Sequence, residues 1–362
     1  MRQTAIPCLL MRGGTSKGPF FRAADLPADT ATRDRVLLAA LGSPDKRQID
    51  GLGGAHPLTS KVGIVSPSQR PGVDLEFLFA QLQPELATVD TTPNCGNMLA
   101  AVVPFALETG MVKAQGPVST FRVLTLNTDM ACDVTVRTPD GLVAYEGEAR
   151  IDGVPGTAAP ISINFLDTAG SVCAGLLPTG RVRDVIDGIA VTCIDNGMPL
   201  VILRAEALGR SGYETVDELN ADGALKARIE RLRLAAGLAM GLGDVSAKNY
   251  PKMTLIAPPR AGGSICTRSF IPHVCHDAIG VLAAVTVGTA CVLRGSVCEG
   301  LARLDDAARP TVVVEHPSGE FSVALATDPQ DGQKVTQAAL LRTARLLMRG
   351  EVMVPATLWR GD

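Results

Sequence analysis

Two stretches of this chain are apolar on every side and not along a single face: residues 98–107, ended by Gly110, and residues 278–293, ended by Gly295. A helix without a polar face has to be surrounded by protein, so each stretch is expected to form a helix at the centre of its own half of the molecule. Around both lie short runs of strand type: Val62-Gly63-Ile64-Val65, Phe121-Arg122-Val123-Leu124-Thr125-Leu126, Val191-Thr192-Cys193-Ile194, Leu200-Val201-Ile202-Leu203 and Thr311-Val312-Val313-Val314. The pattern predicts an α+β chain in which each half wraps a sheet around one buried helix. Pro104, inside the first apolar run, should kink or shorten that helix.

The halves share an order of events: an early turn of small residues, strands, a second polar turn, then the buried helix. The early turn is Arg12-Gly13-Gly14-Thr15-Ser16-Lys17-Gly18 in the first half and Asp195-Asn196-Gly197-Met198-Pro199 in the second. This is a pseudo-repeat of architecture and not of sequence. It predicts domains at 1–184 and 185–349, joined through Thr179-Gly180-Arg181-Val182-Arg183-Asp184, with 350–362 returning to the first domain through a strand at Val352-Met353-Val354. Between the apolar runs, residues 217–239 carry Leu219, Leu225, Ile229, Leu232 and Leu234 at helical spacing, with Arg and Lys expected to face water. Residues 335–348 read as another amphipathic helix.

With 362 residues, 46% of them hydrophobic, the chain has material for two cores. Its longest apolar stretch, residues 279–293, is shorter than the ~18 residues of a membrane span. Met1-Arg2-Gln3-Thr4 opens no secretory signal, so the expectation is a cytoplasmic protein away from membranes. A net charge of −3 without a basic run, and aromatics at 4%, argue against nucleic acid and for a small ligand. Nine cysteines scattered along the chain lack the dense spacing of a disulfide scaffold.

Asn94-Cys95-Gly96-Asn97 sets one of those thiols at the start of the first buried helix, where backbone N–H groups and the helix dipole favour a thiolate able to act as base, acid or nucleophile. An inert buried thiol fits the same residues. Lys61, at the head of the run 62–65, is tethered to a strand end, where partial burial would make a neutral amine available as a base; a solvated lysine fits equally. The glycine-rich turns 13–18 and 51–54, the latter running into Thr59-Ser60-Lys61, expose N–H groups and hydroxyls that suit carboxylates, or serve as ordinary loops. Neither has the spacing of a Walker loop or a dinucleotide fingerprint. In the second half, Gly262-Gly263-Ser264 with Arg268 is a candidate carboxylate clamp. His273, Cys275 and His276 are packed too tightly for a usual zinc pair, and His276-Asp277 would instead cap the second helix or face the cleft.

In this order, Arg12-Gly13-Gly14-Thr15-Ser16-Lys17-Gly18, Thr59-Ser60-Lys61, Asn94-Cys95-Gly96-Asn97 and Asp195-Asn196-Gly197-Met198-Pro199 resemble the family of 4-oxalomesaconate tautomerase and 2-methylaconitate cis-trans isomerase. The resemblance spans nearly the whole chain and implies the diaminopimelate epimerase-like fold, an active site without cofactor or metal, and a small tricarboxylate substrate. It leaves room for a homo-oligomer. Two-cysteine epimerases carry one thiol in each domain; here the second helix begins at Cys275-His276-Asp277-Ala278-Ile279-Gly280, without that cysteine loop. The isomerase branch uses the lysine that matches Lys61, and residues 271–282 look closer to the tautomerases.

The resemblance therefore implies a 1,3-allylic proton shift on 4-oxalomesaconate in gallate-type aromatic acid degradation. Lys61 and Cys95 are the expected catalytic pair, with Thr15, Ser16, Ser60, Asn94, Gly96 and Asn97 holding carboxylates from one domain and Ser264 and Arg268 from the other. The alternatives are 2-methylaconitate isomerisation, a non-catalytic polycarboxylate-binding protein, and an amino-acid racemase.

Overall fold

A computed structural model describes residues 3–166, 168–305, 310–328 and 335–361. The chain forms two compact units, one of Met1–Leu166 with Arg342–Asp362 and one of Asp167–Leu341. The helices are α1 (Thr30–Leu41), α2 (Gly96–Leu99), α3 (Val102–Glu108), α4 (Val216–Ala221), α5 (Gly223–Ala239) and α6 (Val281–Val292). No helix among the described residues is long and apolar enough to cross a membrane.

The first unit contributes strands β1 (Gln3–Gly13), β2 (Ser16–Arg22), β3 (Lys61–Pro67), β4 (Leu75–Leu82), β5 (Val89–Asp90), β6 (Val118–Thr125), β7 (Met130–Arg137) and β8 (Ile161–Phe165). The second contributes β9 (Asp184–Ile186), β10 (Ile189–Asp195), β11 (Pro199–Arg204), β12 (Lys252–Ala257), β13 (Ile265–Phe270), β14 (Thr311–His316), β15 (Gly319–Thr327) and β16 (Val335–Arg342); β17 (Ala344–Pro355) closes the chain. In the first unit β17 and β1 pair antiparallel, as do β1 and β2, while β2 and β3 are parallel. The order continues with β3–β4 antiparallel, β4–β6 parallel, and β6–β7–β8 antiparallel. In the second unit β9 through β16 repeat it step for step: antiparallel, antiparallel, parallel, antiparallel, parallel, antiparallel, antiparallel. The expected pseudo-repeat is thus present as a repeat of strand pairing.

Both apolar runs are central. In α6 every residue from Ala283 to Cys291 is buried, against Ile194, Leu200, Val312, Val314, Val323 and Leu325 of the surrounding strands. An unpaired carboxylate at Val287 would cost several kcal/mol there. The first run is two helices, not one: α2 ends at Leu99, Ala100 and Ala101 form a turn, and α3 begins at Val102. Pro104 has no N–H to give to the carbonyl of residue 100, so the helix breaks where that bond is lost. Outer helices complete each unit. Val36, Leu37, Ala40 and Leu41 of α1 pack on Ile6, Cys8, Phe21 and Val354, and Leu225, Ile229, Leu232 and Ala236 of α5 on Val191, Val201, Leu203 and Leu255.

Four expectations are corrected. Residues 335–348 are strands and not a helix, because β17 is held as the antiparallel partner of β1 from Gln3–Pro355 to Gly13–Ala344, and Leu347 and Met348 face solvent. Arg233, expected on the wet face of α5, is wholly buried; its guanidinium is neutralised by Glu230 and donates to the carbonyls of Lys248 and Tyr250. The stretch 179–184, expected as a domain junction, lies inside the second unit, where Thr179 and Arg181 both donate to buried Asp184. His276 stands before the N-cap of α6, which is Gly280, and its Nδ1 accepts from the N–H of Ala278.

Candidate active site

The turn joining β1 and β2 has two central residues, Gly14 and Thr15, with Gly13 and Ser16 paired across its base. Gly14 has φ +51°, which the tight hairpin turns require at this position. Close approach is the second reason for glycine. A Cβ on Gly13 would lie 2.3 Å from the backbone oxygen of Asn97, one on Gly14 2.1 Å from Asn97 Oδ1, and one on Gly18 1.7 Å from the carbonyl oxygen of Lys61. The glycines let the hairpin press against both polar turns at once.

Cys95 is the N-cap of α2, extended in backbone and 8% exposed, and Lys61 is the first residue of β3, also 8% exposed. Lys61 Nζ donates to Cys95 Sγ at 3.6 Å and stands 4.9 Å from the centroid of the Phe79 ring. An amine and a thiol in contact, buried and facing an aromatic ring, form a pair that can exchange a proton directly. Of the other buried thiols, Cys266 Sγ accepts from Arg268 Nη1 at 3.5 Å, a guanidinium that does not act as a base; burial pushes Cys8 and Cys275 up to about 11, and Cys193 up to about 12. These three stay protonated at neutral pH and pack as small apolar groups.

Around the pair, Asn97 Nδ2 donates to Thr15 Oγ1 at 3.0 Å and Asn97 Oδ1 accepts from Arg342 Nε at 3.1 Å. Asn94 Nδ2 donates to Thr125 and Thr128, while its buried Oδ1 has no hydrogen-bond partner. Ser16 Oγ is buried without a partner as well. Ser16 is paired with Gly13 across the hairpin and shares its face, the face that packs on Asn97. Ser60 differs, since its buried hydroxyl lies within donating distance of Gln48 Oε1 and the His56 carbonyl. Gln48, with φ +48°, organises this segment by also accepting from Ala55 N–H and donating to Ser43.

Sequence reasoning missed Arg342. Burial lowers its pKa to about 10, opposed by the neighbouring Cys95 sulfur, so the group remains a cation at neutral pH. Read as a helix, residues 335–348 put Arg342 on one face with Val335, Ala338, Ala339 and Leu346. Read with period two, Arg342 falls in phase with Ala338 and Leu340, and all three are buried. An arginine in phase with buried residues was the available signal.

Ser264, just before β13, and Arg268, within it, belong to the second unit, and both have internal partners. Ser264 Oγ accepts from Val313 N–H, and Arg268 donates to the carbonyls of Glu214 and Thr267. The nest in front of them is filled by the chain itself: the buried Glu315 carboxylate accepts from the N–H groups of Arg260, Ala261 and Gly263 at 2.7 to 2.8 Å. In the other glycine turn of this unit, Asp195 accepts from Ser171, Val172 and Cys173, and Asn196 bridges Thr168 to Thr289 on α6.

A family model described as PrpF protein matches residues 3–355. The (4E)-oxalomesaconate Delta-isomerase of Novosphingobium sp. (strain KA1) is 56% identical over 348 residues, 96% of this chain and 97% of that protein. The 4-oxalomesaconate tautomerase of Pseudomonas putida is 54% identical over 361 residues, 100% of this chain and 99% of that protein. Among solved structures, methylitaconate-delta-isomerase superposes with a TM-score of 0.86 at 36% identity, covering 99% of this chain and 97% of that one. The expected diaminopimelate epimerase-like organisation, a sheet around a central helix in each half, is the one this chain has. Full-length similarity of this degree, over a chain carrying Lys61 and Cys95 in contact, establishes that it belongs to the PrpF family.

Proposed function

We propose that this protein is an isomerase of 4-oxalomesaconate that moves a proton along an allylic system using only its own acids and bases. The observation that carries the reading is the buried contact of Lys61 Nζ with Cys95 Sγ, in a chain more than half identical to two proteins named for this substrate. Lys61, as the neutral amine, takes a proton from the carbon activated by the adjacent carbonyl and carboxylate. The electron pair of that C–H bond spreads into a dienolate. Cys95 then delivers its thiol proton to the distal carbon, and the proton held on Lys61 crosses the 3.6 Å contact to the thiolate, which resets both groups. In the variant of this scheme without the thiol, Lys61 returns the proton itself.

Arg342, held by Asn97, supplies positive charge for the developing oxyanion, and Ser16 Oγ and the N–H groups of Gly96 and Asn97 are donors for substrate carboxylates. Asn94 and Thr15 hold the two turns in place through Thr125, Thr128 and Asn97. Roles in substrate binding for Ser60, Ser264 and Arg268 remain part of the proposal, although each is engaged internally. A cytoplasmic site of action in gallate-type aromatic acid degradation and assembly as a homo-oligomer belong to the same reading, supported by the two named relatives for the chemistry alone.

The test is proton NMR of 4-oxalomesaconate in deuterated water with the purified protein, with 2-methylaconitate in parallel. Rearrangement or deuterium uptake in oxalomesaconate only is the expected result. Turnover of 2-methylaconitate only would transfer the activity to that substrate, and exchange in neither would leave a binding protein.

A further inference from the structure

A row of three cations crosses the first unit. Arg12 on β1 stands directly opposite Lys17 on β2 and directly opposite Arg345 on β17. Residues paired in this way project from the same face of a sheet, and like charges so placed are destabilising. No carboxylate among the described residues forms an ion pair with any of the three. Arg12 Nη1 donates to the oxygens of Gly14 and Thr343, which fixes its direction without neutralising it.

The row lines a cavity of about 640 Å³ between these strands and the segment 145–158, which is glycine-rich at Gly153 and Gly156. The size is that of a site for a small organic molecule. Its acidic wall residue is Glu146, which has no ion pair with the row. The wall of the cavity also includes Thr15, Ser16 and Thr59, so it adjoins the Lys61 turn, but neither Lys61 nor Cys95 lines it. Gly13 and Ser16 face Asn97, and Arg12 and Lys17, one residue further along each strand, face the opposite way.

We propose that this cavity is a second anion site, adjoining the reacting pair and not lined by it, for a small di- or tricarboxylate. From Lys17 to Arg345 the row spans two strand spacings, about 10 Å, too long for one phosphate and matched to carboxylates at the ends of a short carbon chain. Gly153 packs on Thr15, where a Cβ would come within 2.9 Å of Thr15 Cγ2, and Thr15 in turn accepts from Asn97. An occupied cavity therefore presses on the hairpin that seats the reactive turns.

The test is calorimetric titration of the full chain with citrate, comparing the wild-type protein with Lys17→Gln/Arg345→Gln, with inorganic phosphate as a second probe. Citrate entering the reacting site registers as competitive inhibition that the double variant retains. The expected result is a further citrate-binding component that the variant weakens at least 10-fold, with phosphate at least 10-fold weaker than citrate on the wild type and substrate turnover unchanged. Identical citrate isotherms for both proteins would overturn the proposal, as would loss of binding that follows loss of turnover, which would assign the row to the reacting site. Arg345→Glu, a reversal at an exposed position, must weaken citrate more than Arg345→Gln; equal effects overturn the electrostatic account. The isotherm needs no turnover, so a chain inactive on oxalomesaconate still decides the question.

Discussion

The two units place a lysine at the same address and finish the address differently. Lys61 opens β3 and reaches Cys95, the N-cap of the central helix that follows; Lys252 opens β12, and its Nζ lies 3.7 Å from where a Cβ would stand on Gly280, the N-cap of α6. One lysine has a thiol to trade protons with; at the matching helix end the other meets a glycine, with His276 near enough for the lysine's charge to lower that imidazole's pKa. The surrounding polar groups follow the same division. In the first unit, Ser16 Oγ and Asn94 Oδ1 are buried with no partner, whereas the nest of the second unit is closed by Glu315. Repeated architecture gives two equivalent places for chemistry, and side-chain satisfaction distinguishes the one with unpartnered buried polar groups from the one whose nest is closed by its own carboxylate. The missing thiol at Gly280 also explains why this chain does not carry the two-cysteine arrangement of a racemase.

The most severe test of this contrast is Lys61→Ala, expected to lower kcat on 4-oxalomesaconate by about 10² to 10⁴-fold in a protein whose urea midpoint is near that of the wild type. Next is Glu315→Ala, which leaves the N–H groups of Arg260, Ala261 and Gly263 without an acceptor and should destabilise the chain by about 3 kcal/mol or more. Urea unfolding reads this directly, and a change below about 1 kcal/mol would show that the nest does not need its internal carboxylate. Ser16→Ala separates substrate binding from support: kcat/KM should fall about 10-fold or more while stability is unchanged, since the hydroxyl has no internal partner to lose. A matching loss of stability would give Ser16 a structural role. The smallest effect is assigned to Lys252→Gln, less than about 10-fold in kcat; a larger drop than that of Lys61→Ala would move the base to the second unit.

Much of this was legible in the residues. The all-round apolar runs could only be central helices, and the strand at 62–65 and the turn at 94–97 put Lys61 and Cys95 at the ends of buried elements. Hairpin geometry was readable in Gly13-Gly14, because a two-residue turn needs positive φ at its first position. The run 335–348 was misread since Ala, Leu and Arg satisfy a helical period as well as a strand's, and only pairing with β15 and β1 decides between them.

By itself, then, the sequence determined which segments must be buried, where the chain turns, and which lysine and cysteine sit at element ends, because periodicity and turn chemistry act over a few neighbouring residues. The tertiary structure alone decided that Lys61 touches Cys95, that Arg342 reaches Asn97 across 245 positions of chain, and that Glu315 fills the nest of residues 260–263. Those outcomes rest on contacts between distant segments, and no local pattern encodes whether a buried polar group will find its partner inside the chain or be left for a substrate.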